Sequence, residues 1–394
     1  METSPRRATG IRSVLFVNVV ILCSATAVRG AVQYTVTDLG TLGGPRSYAR
    51  AINDAGKVVG YSNTGLATYA FVWEGGTMTS LGTPGGNSYA YDINNAGWAV
   101  GYAGGAVLWH DGTVLNLGTL YPNQESRAYG INCWGQVVGD SRDFSSERHG
   151  FLWDNGTMSY VVGSAGHYGS SARAINDLGQ AVGAKRIPYP DYDKASTFWA
   201  GKATLLGPYP SGVHGSIALG INNEGRVVGY DGAYTETYDG TQTYDGAYTE
   251  TMSGRPFVSD STTGFAYMAT LGGTDGYALA VSDAGLIVGS SETTGGDLRA
   301  TIWSNTPEHT PTDLNTLISS DSGWAYLAQA YDINDSGQIV GYGRLTGSIF
   351  DRAFLLTPVP EPATIGLLAL GGLVILRKCR CAAGPGRAVK SVNL

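Results

Sequence analysis

Apolar positions between about Tyr34 and Leu356 fall in short runs that recur in a fixed order. The recurring stretches are AINDAGKVVG at Ala51, DINNAGWAVG at Asp92, GINCWGQVVG at Gly130, AINDLGQAVG at Ala174, GINNEGRVVG at Gly220, AVSDAGLIVG at Ala280 and DINDSGQIVG at Asp332. Each is followed by a second apolar patch, often ending in Trp, such as AFVW at Ala70, GFLW at Gly150 and ATIW at Ala300. A tight turn such as EGGT or DNGT comes next, and then a segment ending in Leu-Gly or a near relative. Four short extended pieces per unit, roughly forty to sixty residues apart, is the period of a propeller blade. The seven units therefore predict an all-β, seven-bladed β-propeller over residues 32–357.

One unit explains why it repeats. In Ile-Asn-Asp-x-Gly the Asn or Asp side chain bonds backbone N–H groups of the turn, and Gly accepts the positive φ that closes a hairpin. The Val-Val run that follows is β-branched and suits a buried strand. Trp and Phe of the third piece have the bulk to fill space between sheets. A single four-stranded unit would leave that face exposed, whereas stacking units around an axis buries it.

The ends of the repeat region predict how the ring closes. YTVTDLGTLGG from Tyr34 is a fourth-strand element without the preceding three, and the last unit stops at Thr357 with no fourth strand. An N-terminal strand paired with the last blade removes both exposed edges. The turns between first and second strands, and between third and fourth, are short and uniform. The other connections vary, as in AKRIPYPDYDKAS from Ala184 and the stretch of more than twenty residues in the fifth unit. In an up-and-down meander these variable connections share one face, and function tends to sit on variable loops held by a rigid scaffold.

Composition fits such a fold: of 394 residues 58 are Gly and 24 Tyr, only 14% are charged, and helix formers are sparse. Net charge is −7, and setting aside +3 in the first thirty residues and +5 in the last eighteen leaves a body at −15. An acidic body excludes nucleic acid as the natural partner, because phosphates require a basic face.

Residues 1–27 read as an export signal: a basic start, the apolar run VLFVNVVILC from Val14, and Ala25-Thr26-Ala27 as a cleavage site. With Cys23 in the signal and Cys379 and Cys381 beyond the C-terminal apolar run, Cys133 is the one thiol of the body. A single thiol forms no internal disulfide, so packing must hold the fold.

Candidate chemistry is sparse. DINDSG at Asp332 and DINNAG at Asp92 resemble the front of a calcium loop, but the leading Asp is Ala or Gly in the other units and no Glu closes the loop. Turn chemistry accounts for them better, and no cofactor or metal is expected. His149, His167 and His214 lack a metal-binding spacing. Asp140, Asp143, Asp191 and Asp193 are the carboxylates from which a glycosidase pair would be drawn. The fifth unit carries YDGAYTET twice, at Tyr230 and Tyr244, and reads as an exposed loop produced by tandem duplication. If variable loops bind a ligand, Tyr189, Tyr192, Tyr234 and Tyr248 are the aromatic side chains that would stack on it.

The C-terminal part has three features in order. Pro360 and Pro362 hold the chain extended around Glu361, an uncharged run extends from Ala363 to Leu376, and Arg377, Lys378 and Arg380 follow. The run is short for a membrane span, though flanking side chains stretch it, and the basic cluster favours leaving that end in the cytoplasm. Segment 358–381 resembles the PEP-CTERM sorting signal, and the Ile-Asn-Asp-x-Gly and Ala-Phe-x-Trp units resemble the HAF repeats of bacterial extracellular proteins. The resemblance implies a C-terminal transmembrane sorting helix, transient or permanent anchoring in a Gram-negative envelope, and processing near the Pro-Glu-Pro by an exosortase. It places the protein in bacteria that make exopolysaccharide. A tail extension, 382–394, follows the basic cluster, where similar sequences stop sooner. The expected function is that of a non-enzymatic exported protein whose partners are matrix polysaccharide or surface proteins. The alternative is a secreted carbohydrate-active enzyme with its site on the loop face.

Overall fold

The structure is a computed structural model that describes residues 33–83, 86–162, 168–188, 191–207, 215–232, 254–262 and 264–360. The export signal, most of the duplicated insertion, and the apolar and basic parts of the C-terminal segment lie outside the described residues. Among the described residues no helix is long and apolar enough to cross a membrane.

Seven four-stranded antiparallel sheets are arranged as blades of a closed β-propeller. The inner strands are Ser47–Ile52, Tyr89–Ile93, Ser126–Ile131, Ser170–Ile175, Ser216–Ile221, Gly272–Val281 and Trp324–Ile333, defining blades 1 to 7. Blade 7 takes its outermost strand from the start of the chain: Tyr34–Asp38 pairs antiparallel with Asp351–Pro358, with Tyr34 opposite Pro358 and Asp38 opposite Phe354. The orphan strand and the incomplete last unit thus complete each other.

Small and large side chains alternate through the core. Phe71, Phe151, Phe257 and Phe354 of the third strands are fully buried, packed against Val and Ile of the second strands and Ala of the inner ones. The repeated Val-Val-Gly owes its glycine to close approach. A Cβ at Gly60 would collide with the Tyr48 carbonyl of the inner strand, and one at Gly341 with that of Gln329. The same inner strand carries a β-bulge, between Ala49 and Ala51 in blade 1 and at the corresponding place in the other six. A serine at or just before the start of the inner strand ties successive blades together: Ser88, Ser126, Ser170 and Ser216 each accept from a third-strand N–H of the preceding blade, at 2.9–3.0 Å.

Two sequence expectations need correction. Most of AKRIPYPDYDKAS is a lengthened hairpin, Ala181–Pro188 with Asp191–Trp199, whose register runs out to Pro188 opposite Asp191. Tyr230 and Asp231, the start of the duplicated insertion, are buried strand residues. Tyr230 follows Val-Val-Gly and packs edge-on against Tyr277 at 5.1 Å, so the blade core claims it before the insertion begins.

Candidate functional site

The short uniform turns meet at one end of the axis. Their Ile-Asn-Asx residues enclose a cavity of about 210 Å³. Each turn asparagine accepts backbone N–H groups through its own Oδ1, as Asn94 does from Ala96 and Trp98. Its Nδ2 reaches across to the next blade: Asn53 donates to the Asn94 carbonyl at 3.1 Å, Asn94 to Asn132 at 3.1 Å, Asn132 to Asn176 at 3.2 Å and Asn176 to Asn222 at 3.0 Å. Asn222 donates to Ser282 at 3.1 Å, and Asn334 to Asn53 at 3.0 Å. In blade 6 the donor position is Ser282, whose Oγ accepts the Leu286 N–H and, among the described residues, donates to no carbonyl of the next blade. The following position forms a second, exposed ring, in which Asp54 N–H donates to Asn95, Asp177 to Asn223, and Asn223 to Asp283. Among the described residues no group of three His, Cys, Asp or Glu side chains is placed to hold a metal ion.

Deeper along the axis the bulge re-aims one side chain per blade. Arg50 lies 3.9 Å from the centre of the Tyr331 ring, Tyr91 packs on Tyr129 at 5.5 Å, and the Arg173 guanidinium lies 4.3 Å from the centre of the Tyr129 ring. Asp92 and Asp332, which lead the two calcium-like stretches, use both carboxylate oxygens on backbone. Asp92 accepts from Ile93 and from Ile131 of the next blade, each at 2.8 Å, and Asp332 accepts from Ile333 at 2.8 Å and Ile52 at 2.9 Å. Burial pushes Asp92 up to about 7; it pushes Asp332 up to about 8, with the negative charges of Asp92 and Asp54 adding to the rise.

Toward the face that carries the longer connections, two positions face each other across the first two strands of every blade. They are Tyr48 with Tyr61 in blade 1 and Tyr89 with Tyr102 in blade 2. These rings form one cluster, with Tyr61 5.1 Å from both Tyr48 and Tyr89. In blade 4 the equivalent pair is Ser171 with Ala184. Where the rings are missing a cleft of about 420 Å³ opens among blades 3, 4 and 5. Arg142, Arg148, Arg173 and Arg186 line it together with Glu147 and Asp193, and Tyr230 forms part of its wall. Arg186 bridges Glu147 at 3.2 Å and Asp193 at 3.3 Å, and Arg148 pairs with buried Asp140 at 2.8 Å. Behind the cleft Lys194 is buried, which holds its ammonium below the ordinary lysine value against the opposing pull of Asp231.

Of the aromatic residues proposed for ligand stacking, Tyr192 is described and Tyr189, Tyr234 and Tyr248 are not. Tyr192 alternates with Asp193 along its strand and so points to the opposite face, its ring 4.6 Å from the Lys194 ammonium. Pro360 is exposed just past the last strand; Glu361, Pro362, Arg377, Lys378 and Arg380 lie outside the described residues. His149 is buried on Asp143 at 3.1 Å, while His167 and His214 lie outside the described residues. Asp140 and Asp193 each pair with an arginine. Reading one unit at a time misses the arginine cleft. Its signal is the column after Val-Val-Gly, which reads Tyr61, Tyr102, Asp140, Ala184, Tyr230, Ser290 and Tyr342, with Ala184 the smallest.

Residues 358–380 match the PEP-CTERM protein-sorting motif. The chain carries that sorting motif. It implies export, exosortase processing and association with the cell envelope. Residues 45–204, spanning most of blades 1 to 4, match a family described as a protein of unknown function, DUF3466. No curated protein matches the chain. Among solved structures, an oligogalacturonate lyase from Vibrio parahaemolyticus aligns at 10% identity over 83% of this chain and 94% of its own, with a TM-score of 0.55. A gluconolactonase from Xanthomonas campestris aligns at 13% identity over 60% and 90%, TM-score 0.30. A variant of AofleA from Arthrobotrys oligospora aligns at 14% identity over 84% and 90%, TM-score 0.34. The first likeness is one of fold, and the other two carry no argument.

Proposed function

We propose that this sorting-motif protein is an exported, envelope-associated propeller that binds extracellular polysaccharide through its loop face. The observation that carries the reading is the cleft of about 420 Å³ on that face, within the size range of small-ligand sites (about 300–1,000 Å³) and lined by hydrogen-bonding side chains suited to a hydroxyl-rich ligand. The opposite end of the axis is a narrow mouth whose asparagines are engaged in holding the blades together. Polysaccharide recovered from the producing cells tests the reading by co-sedimentation with the full chain. Binding that Ala184→Tyr weakens and Asp54→Asn leaves intact supports it. Protein that stays in the supernatant, or binding that responds only to the axial substitution, overturns it.

A carbohydrate-active enzyme is the second reading, favoured by one observation: Glu147 and Asp193 are two carboxylates facing the same cleft through a shared arginine. Release of reducing ends from that polysaccharide, abolished by Glu147→Gln, would support it; unchanged polymer length would remove it.

A further inference from the structure

The residue before the glycine of each inner turn reads Ala55, Ala96, Trp134, Leu178, Glu224, Ala284 and Ser336 from blade 1 to blade 7. Blades 3 and 4 alone place a large apolar side chain there, and both are left in the open: Trp134 is 63% exposed and Leu178 60%. The two are neighbours, because the Trp134 Nε1–H donates to the Asp177 carbonyl at 2.9 Å and so brings the indole across to the residue next to Leu178. Trp199, half exposed, ends the third strand of blade 4 at a short turn on the same face, opposite Lys202. The turn itself does not call for these side chains, since alanine and serine fill the position in sister blades. A tryptophan with its N–H satisfied and its ring in the open suits a membrane–water boundary, where one end of the side chain stays wet and the other meets hydrocarbon.

Where the chain leaves the ring identifies what meets this patch. It reaches Pro358 on the same face, and only Val359 to Pro362 separate that point from the uncharged run beginning at Ala363. So short a stretch spans at most about 14 Å when fully extended, and a sorting segment held in a membrane keeps the short-turn face close to the bilayer. Around a ring of seven, blades 3 and 4 are the two farthest from blade 7. We propose that Trp134 and Leu178, with Trp199 beside them, dip into the bilayer interface as a second contact across the ring from the sorting segment, so that the propeller lies with its short-turn face on the membrane. The inference rests on the envelope association proposed above and not on the polysaccharide ligand. The contact is apolar, because the turns around it carry Asp54, Asp177, Asp283 and Asp335, whose charge repels anionic headgroups. A patch of this size suffices because the tether makes the second contact intramolecular, at the high effective concentration that a short linker gives. Apolar tips on the other face, Leu66, Phe144, Leu298 and Ile349, are spread over four blades and lie away from the exit.

Tryptophan fluorescence of the full chain reconstituted into phosphatidylcholine vesicles tests this, with and without lipids brominated near the headgroup end of their acyl chains. Brominated lipid should quench the emission, and Trp134→Ala should lose most of the quenched component. Leu178→Asp keeps both tryptophans and changes an exposed side chain; it should lower the quenching about twofold or more, by weakening the second contact, and keep the unfolding temperature. Leu66→Asp, on the loop side, should leave the quenching unchanged, and replacing part of the phosphatidylcholine by phosphatidylglycerol should reduce it. Vesicle-bound protein whose emission ignores bromine, or Leu178→Asp quenched like the wild type, overturns the contact while envelope association stands. Protein that does not float with the vesicles brings down both. Quenching that phosphatidylglycerol strengthens, or that Leu66→Asp removes as well, overturns the assignment to an apolar short-turn patch. Absence of quenching together with self-association that Leu178→Asp abolishes assigns the patch to a second copy of the chain and overturns the membrane contact.

Discussion

Ser47 Oγ accepts the backbone N–H of Ala353 at 3.0 Å, joining blade 1 to the third strand of blade 7 across 306 positions of sequence. Both residues are fully buried. The same bond recurs between neighbouring blades, but here it closes the ring, and beside it the strand Tyr34–Asp38 covers the edge of Asp351–Pro358.

Closure should therefore be a separable contribution to stability. Ser47→Ala leaves a buried N–H without its acceptor, and should lower unfolding free energy by about 1–3 kcal/mol in a urea titration. A chain beginning at Leu39 lacks the covering strand. It should unfold at lower denaturant and self-associate through the uncovered edge, which sedimentation velocity would detect. A monomeric variant with unchanged stability would show that the strand is dispensable.

The gap in the asparagine ring predicts a gain. Ser282→Asn supplies the missing donor toward Asn334 while retaining acceptors for the turn N–H groups, and should stabilise by about 0.5–1.5 kcal/mol. Asn222→Ala removes the bond to Ser282 and the bonds from Glu224 and Arg226, leaving buried groups unsatisfied; a loss of about 2–3 kcal/mol is expected. Thermal melts of the two single variants should move in opposite directions.

Two buried carboxylates give stability a pH dependence of definite sign. In the unfolded chain Asp92 and Asp332 release their protons near 3.8, whereas in the fold burial keeps them protonated up to about 7 and about 8. Between these values the folded state binds more protons, so their contribution is full below the unfolded value and is lost as pH rises through the folded ones. The double variant Asp92→Asn, Asp332→Asn should flatten the fall in melting temperature between acid and weakly alkaline pH. An unaltered slope would assign the dependence to other groups.

Topology also predicts an orientation. Tyr34 and Pro358 are register partners, and Pro358 lies within van der Waals reach of a side chain at Gly337 in the inner turn of blade 7. The chain therefore reaches Pro358, the first residue of the sorting motif, on the short-turn face. In membranes holding the full chain, with native cysteines replaced by serine, a fluorophore at Asn155→Cys on the short-turn side should be quenched by headgroup nitroxides more than one at Leu66→Cys on the loop side. Equal quenching would contradict an outward-facing cleft.

The propeller was legible because a repeat states the same local physics seven times: a turn asparagine, two β-branched residues, a glycine and an aromatic third strand determine one blade and cannot be buried alone. The orphan strand at Tyr34 and the missing strand after Thr357 determined how the ring closes, since edges must pair. What the sequence left open depended on which residues meet between blades. The carboxylates at Asp92 and Asp332 resembled half of an ion loop in isolation, and only the neighbouring blade's N–H groups gave them their partners. The arginine cleft arose in the same way. Arg148, Arg173 and Arg186 are separated along the chain, and they share a wall only because Ser171 and Ala184 leave empty the space that tyrosines fill in blades 1 and 2. Local spacing sets the blade, but a site between blades is set by side-chain volume across a contact that no single unit contains.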